Sequence, residues 1–294
     1  MEEKKGINIL NKIIIFLQMI KIEHSIFALP FAYLGILLSL GKISFDRNFL
    51  WITVAMVGAR SFAMAFNRYV DKEIDIRNPR TQDRALPKKL LTENEVIVFS
   101  FLTLVIYISA AFELSPLCRY LWPFLVLPMI IYPYTKRFTY LSHFVLGISL
   151  GLSPIGAWIG ITNTLPSMKV LLLGLAICFW TAGFDIIYAC QDINFDCKEG
   201  LYSIPAYFGL EKALKTTAFL HFLTVILLFA TGFLFRLKLF YFFGVLTVAS
   251  VLWYENHIVS PKDLSRVNVA FFTANGFISI LIFIFTWIDF YFKN

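Results

Sequence analysis

Asn67, Asp71 and Asp75 stand four residues apart in NRYVDKEID, at the end of a long apolar run. On an α-helix that spacing puts all three on one face, a turn apart, as a stripe of oxygen ligands. Asp185, Asp192 and Asp196, in DIIYACQDINFD, make a second and looser acidic group. Carboxylates this close repel one another and are costly beside hydrocarbon unless a cation lies between them. Mg²⁺ takes oxygen ligands, keeps several waters and typically uses one or two carboxylates together with substrate phosphates. Two acidic pairs facing each other would hold about two Mg²⁺ ions bridging a diphosphate. A solvated loop whose acids pair with its own arginines is the plainer reading of one such motif. Two copies leaving the apolar region on the same side argue against it.

The basic residues narrow the ligand. Arg80 and Arg84 follow Asp75 in NPRTQDR, where Pro79 ends the helix and turns the chain. Guanidinium groups beside an acidic metal site suit phosphate oxygens, which they grip in bidentate fashion. Lys136 and Arg137, in YPYTKR, add cations on the same side; for Arg137 the general excess of cytoplasmic cations is explanation enough. Arg60 lies inside an apolar run, two turns before Asn67. An arginine there calls for a partner: the carboxylate or phenolate of a second substrate, or a structural ion pair with Asp185. Tyr132, Tyr134 and Tyr188 lie beside these motifs, where tyrosine faces, of Tyr132 and Tyr188 above all, would steady a developing cation. The four histidines are scattered without metal-ligand spacing and receive no role.

Elements of one kind must carry all of this. Of 294 residues, 59% are hydrophobic and 15% charged, against roughly 25% charged in a soluble domain. About nine apolar runs are long enough to cross a bilayer, at 24–41, 49–69, 95–112, 117–134, 141–162, 170–190, 216–235, 239–254 and 268–290. The reading is an all-α polytopic membrane bundle forming one domain over 1–294, with an interfacial amphipathic lead-in from Ile13. Two pseudo-repeated halves, roughly 13–134 and 141–254, precede the last span. Seventeen Lys and Arg fall on one side, Lys4 and Lys5 among them, and seven, including Lys293, on the other. That asymmetry predicts a cytoplasmic N-terminus and two long cytoplasmic loops, 70–94 and 191–215. The N-terminus shows no cleavage site of a removable signal peptide. The four cysteines form no CxxC pair and read as buried structural thiols.

Two motifs resemble the signatures of the UbiA superfamily of intramembrane aromatic prenyltransferases. The first stands as Asn67-RYV-Asp71-KEI-Asp75 followed by Arg80-Thr81-Gln82-Asp83-Arg84. The second stands as Asp185-II-Tyr188-Ala189-CQ-Asp192-INF-Asp196-CKE-Gly200-LY-Ser203, and Tyr132-PYT-Lys136 matches a third pattern. Many members have Asn-Asp where this chain has Asn67-Arg68, and Arg-Pro-Leu where it has Arg84-Ala85-Leu86. In look it is nearest to bacterial proteins of the 4-hydroxybenzoate polyprenyltransferase kind. The resemblance implies a nine-helix bundle around a cavity open to lipid. It implies Mg²⁺ on Asn67, Asp71, Asp75, Asp192 and Asp196, a polyprenyl diphosphate on Arg80, Arg84 and Lys136, and an aromatic acceptor at Arg60.

The expected activity is Mg²⁺-dependent transfer of a polyprenyl group to a ring carbon of 4-hydroxybenzoate, for ubiquinone or menaquinone synthesis. Asp71 is the candidate to polarise the acceptor hydroxyl or take the ring proton. The expected setting is a bacterial or archaeal cytoplasmic membrane, with lipid as the surroundings and neither nucleic acid nor an obligate protein partner. A naphthoate acceptor is the alternative within the chemistry; a secondary transporter is the alternative outside it. Transporters usually hold their ligands near the midplane on broken helices, whereas these acids sit at one interface. The D-G-x-x-A-R motif of CDP-alcohol phosphotransferases is absent.

Overall fold

The computed structural model describes residues 8–270 and 275–292, apart from the His24 side chain. Lys4, Lys5, Lys293 and positions 271–274 of the last expected span lie outside the described residues. The chain opens with α1 (Ile9–Met19), then α2 (Ser25–Leu40), α3 (Arg47–Val70), the short α4 (Lys72–Arg77), α5 (Glu93–Glu113) and α6 (Pro116–Thr135). There follow α7 (Ser142–Thr162), α8 (Met168–Ala189), the short α9 (Ile193–Glu199) and α10 (Ile204–Phe208), and α11 (Leu210–Leu234), α12 (Leu239–Ile258) and α13 (Asn275–Tyr291). Helix suits long apolar runs in lipid, because each backbone N–H and C=O then finds its partner within the segment.

Among the described residues each expected apolar run overlaps a helix, the last of them over 275–290. By length and composition, six among the described residues can cross a membrane: α3, α5, α7, α8, α11 and α12. Helices α2 and α13 are apolar but have 16 and 17 residues, and α6 carries Pro123, Pro128 and Pro133 in its interior. The lead-in starts at Ile9 and is a separate helix. It buries Phe16 and Met19 against Leu91 and Val96, leaves Ile9 and Leu10 exposed, and pairs Lys12 with Glu95 at 2.5 Å. Lys21, at φ 50°, breaks it from α2.

Close packing sets the bundle. In α7, Gly147 and Gly151 form a G-x-x-x-G face against Cys178 and Gly174 of α8; an added Cβ at Gly147 would collide with the Cys178 carbonyl oxygen. The largest apolar cluster joins Phe31 of α2, Trp180 of α8, Tyr241 of α12 and Ile282 of α13. Asp289 of α13 accepts from the Lys238 and Tyr241 amides at 2.7 and 3.2 Å, capping the start of α12 from a neighbouring helix. Cys118, Cys178 and Cys190 are buried free thiols, while Cys197 is exposed.

Candidate active site

Both acid-bearing helices break at an aspartate. Asp71 joins α3 to α4 with φ −92° and ψ 4°, and Asp192 precedes α9 with φ −99° and ψ 4°. Both lie in the sparsely populated bridge region, common at active sites. The sequence stripe is therefore bent. Asn67 keeps its place, donating from Nδ2 to Asp71 Oδ2 at 2.9 Å, while Asp75 turns from α4 to a different partner.

That partner is Arg84, whose Nη1 reaches both Asp75 oxygens at 2.7 Å. Lys136 Nζ lies 2.6 Å from Asp71 Oδ2. Arg137, which the sequence left to general charge bias, donates to the Val70 carbonyl at 2.9 Å and stands 3.4 Å from Asp71 Oδ1. Arg80 crosses from the first acidic motif to the second: Nε and Nη2 grip Asp192 at 2.9 and 2.5 Å, and Nη1 donates to the Tyr188 hydroxyl at 2.7 Å. Asn78 and Arg77 make the same crossing, to Asp192 at 3.1 Å and Glu199 at 2.7 Å. Burial opposes the Arg80 charge, but hydrogen bonds and charge from Asp192 outweigh it and hold its pKa above the ordinary arginine value. The two acidic motifs, more than 110 residues apart, thus meet through the loop after α4.

Among the described residues no three His, Cys, Asp or Glu side chains cluster closely enough to hold a metal ion. Each acid is turned to a cation or hydroxyl instead, Asp196 to the Ser203 hydroxyl at 2.9 Å. The donors still fit a hard divalent cation: they are carboxylate and amide oxygens, and buried Asp71 Oδ1 has no hydrogen-bond partner.

Below the acids lies a cavity of about 330 Å³. Its α3 wall is small and apolar, with Ala55, Ala59 and Ala63, and is interrupted by Arg60. From Met64 to Ile52 that wall runs over twelve residue steps, about 18 Å of helix. Thr181 and Phe184 of α8 and Asn275 of α13 face it. Arg60 does not meet Asp185. Its Nη1 donates to the Ile20 carbonyl at 3.1 Å and the Ser25 hydroxyl at 3.4 Å, at the break between α1 and α2. Asp185 pairs with His143 at 2.7 Å, one of the histidines given no role. Tyr188 lends its ring to Arg80, 4.7 Å from the centroid, so a face expected to steady a substrate cation already holds a guanidinium. Tyr132 lies one turn before Lys136 on α6.

The UbiA prenyltransferase family model matches residues 28–285. The chain belongs to that family. It is 30% identical over 235 residues to the 4-hydroxybenzoate octaprenyltransferase of Vibrio atlanticus, covering 80% of this chain and 82% of that one. The enzyme of the same name from Francisella tularensis is 30% identical over 252 residues, covering 85% and 86%. Among solved structures, a UbiA homolog from Aeropyrum pernix superposes with a TM-score of 0.82 at 33% identity, over 91% of this chain and 98% of that one. A UbiA homolog from Archaeoglobus fulgidus bound to DMAPP and Mg²⁺ shares the fold, with a TM-score of 0.66 at 18% identity and the same coverage. The UbiA fold is thus the frame in which both broken helices present their aspartates, and the protein is a membrane-embedded prenyltransferase.

Proposed function

We propose that this UbiA-family enzyme transfers a polyprenyl group from its diphosphate to a ring carbon of a small aromatic acid, with 4-hydroxybenzoate the first choice, in respiratory quinone synthesis. The observation that carries this is the Arg80 clasp on Asp192, which joins the two acidic motifs above a cavity walled by Arg60. Relatives at 30% identity that bear the 4-hydroxybenzoate octaprenyltransferase name support the choice of acceptor.

Asn67, Asp71, Asp75, Asp192 and Asp196 would hold Mg²⁺, which when bound supplies positive charge beside the leaving diphosphate. Arg80, Arg84 and Lys136 hold the diphosphate oxygens, exchanging their carboxylate partners for the ligand. They stabilise charge on the leaving group as the allylic C–O bond ionises and its electron pair leaves with the diphosphate. The apolar cavity keeps water from the prenyl cation. Arg60 keeps guanidinium nitrogens beyond Nη1 for the acceptor carboxylate. The ring carbon beside the hydroxyl attacks the prenyl carbon, forming the C–C bond. Asp71 remains a candidate for the ring proton. Asp185, one turn after the cavity-lining Thr181 on α8, is the second candidate to draw on the acceptor hydroxyl and take that proton. The active-site end faces the cytoplasm of a bacterial or archaeal membrane, on the Lys/Arg asymmetry.

An alanine-rich wall also leaves room for a bicyclic ring, which favours a naphthoate as the second reading. One assay separates them: purified protein with Mg²⁺, prenyl diphosphates of several lengths, and 4-hydroxybenzoate against naphthoates. Prenylated 4-hydroxybenzoate is the expected product. Product from a naphthoate alone overturns the acceptor, and substrate movement across proteoliposomes without product overturns the enzyme.

A further inference from the structure

His143 sits in the first turn of α7 and is 3% exposed. Its Nδ1 lies 2.7 Å from Asp185 Oδ2, and its Nε2 lies 3.3 Å from the backbone nitrogen of Ile204. A backbone N–H only donates, so Nε2 must be the unprotonated nitrogen. Nδ1 then carries the hydrogen and donates it to the carboxylate. The two contacts together select one neutral tautomer of the ring.

Ile204 opens α10, and the two residues before it are fastened as well. The Tyr202 amide donates to the Lys136 carbonyl at 2.7 Å. The Ser203 hydroxyl donates to Asp196 at 2.9 Å and caps α10 by accepting from the Ala206 amide at 3.2 Å. Three successive residues therefore tie the segment after α9 to the end of α6, to Asp196 and to the start of α7. The imidazole extends that tie to Asp185 of α8, whose side chain keeps 15% exposure.

We propose that His143 is a positioning residue: its neutral ring fixes the Asp185 carboxylate, one turn from the cavity-lining Thr181, and locks it to the 202–204 segment. This rests on the reading above, in which Asp185 serves the acceptor. An N–H donated to Oδ2 restrains rotation of the carboxylate and leaves Oδ1 for the acceptor hydroxyl. Without the ring, the carboxylate turns and the acceptor loses its register with the prenyl carbon, while the diphosphate grip of Arg80, Arg84 and Lys136 is untouched.

The test uses the full chain in lipid nanodiscs with His143→Ala, His143→Asn and His143→Gln. Asparagine presents an N–H where Nδ1 stood; glutamine presents an acceptor where Nε2 stood. His143→Ala is expected to lose about 100-fold in kcat with the Kd for a prenyl diphosphate unchanged. His143→Asn should recover most of that loss. His143→Gln should not, although it alone preserves slow hydrogen exchange at the Ile204 amide. Nitrogen-15 spectra of the wild-type ring should report a hydrogen on Nδ1. Unchanged kcat in folded His143→Ala, equal recovery by Asn and Gln, or a hydrogen on Nε2 overturns the proposal. Failure of the wild-type protein to prenylate any aromatic acid counts against the proposed function instead, and the exchange and nitrogen-15 measurements then decide the clasp alone.

Discussion

Asp71 and Lys136 meet at 2.6 Å, with the aspartate side chain 4% exposed and the lysine 29%. They lie 65 residues apart, on the joint after α3 and at the end of α6. A buried carboxylate without a positive partner is strongly disfavoured, so the lysine neutralises the group that a metal ion would otherwise neutralise. Removing Lys136 should therefore act in opposite directions on two ligands. Lys136→Met is expected to bind Mn²⁺ more tightly than wild type in the absence of substrate and to bind prenyl diphosphate more weakly. Titration of each ligand by calorimetry in detergent checks both signs, and movement of both in one direction would sink the partner-exchange account.

Arg80 reaches Asp192 with two nitrogens and Tyr188 with a third. Lysine cannot reproduce that fork or lie flat on the ring. Arg80→Lys should lose nearly as much transfer activity as Arg80→Ala, on the order of 100-fold or more in kcat/KM. Steady-state kinetics on the two variants decide it.

Arg84→Ala leaves Asp75, buried in α4, without its partner. Breaking such a pair on one side costs about 3 kcal/mol, read as a shift in the denaturant unfolding curve. The double variant Asp75→Asn with Arg84→Ala should be more stable than Arg84→Ala alone, because no charge is then stranded. Activity should be lost in both.

Arg60→Ala is expected to raise the acceptor KM about 10- to 100-fold, the loss of one charge-assisted contact. The diphosphate KM should hold. An acceptor analogue lacking the carboxylate should not distinguish the variant from wild type, which separates recognition of the acid from damage to the α1–α2 break that Arg60 also ties.

Gly147→Val forces a branched side chain onto the Cys178 carbonyl. Overpacking of this kind costs about 1–3 kcal/mol, expected as reduced thermal stability in detergent with the metal and diphosphate affinities of the folded fraction retained.

Much of this was legible in the residues. Apolar length marked the long helices among the described residues, because a helix satisfies every backbone group within its own segment in lipid. The four-residue spacing of the aspartates marked the two acidic motifs. What stayed hidden depends on contacts across the bundle. Nothing near Asp71 or Asp192 is a proline or glycine, so the breaks at those residues had no local signal. His143 has no ligand spacing, and its meaning comes from Asp185, 42 residues on, and the amide of Ile204. Arg60 was recognisable as an arginine in need of a partner, but backbone at Ile20 carries no side-chain signature. Arg137 matched the charge bias of its loop, which masked its approach to Asp71.

The distribution of ion pairs over the two acidic motifs bears on selectivity. Asp71–Lys136 and Asp75–Arg84 engage the first motif, whereas Asp192 of the second is held by Arg80 from the loop after α4. Inorganic phosphate, reaching one motif, is expected to recover only the energy of the pairs it opens there. A diphosphate that engages both motifs is rewarded at both. The resting site is therefore expected to sort anions by length, favouring diphosphate over free phosphate without any steric gate.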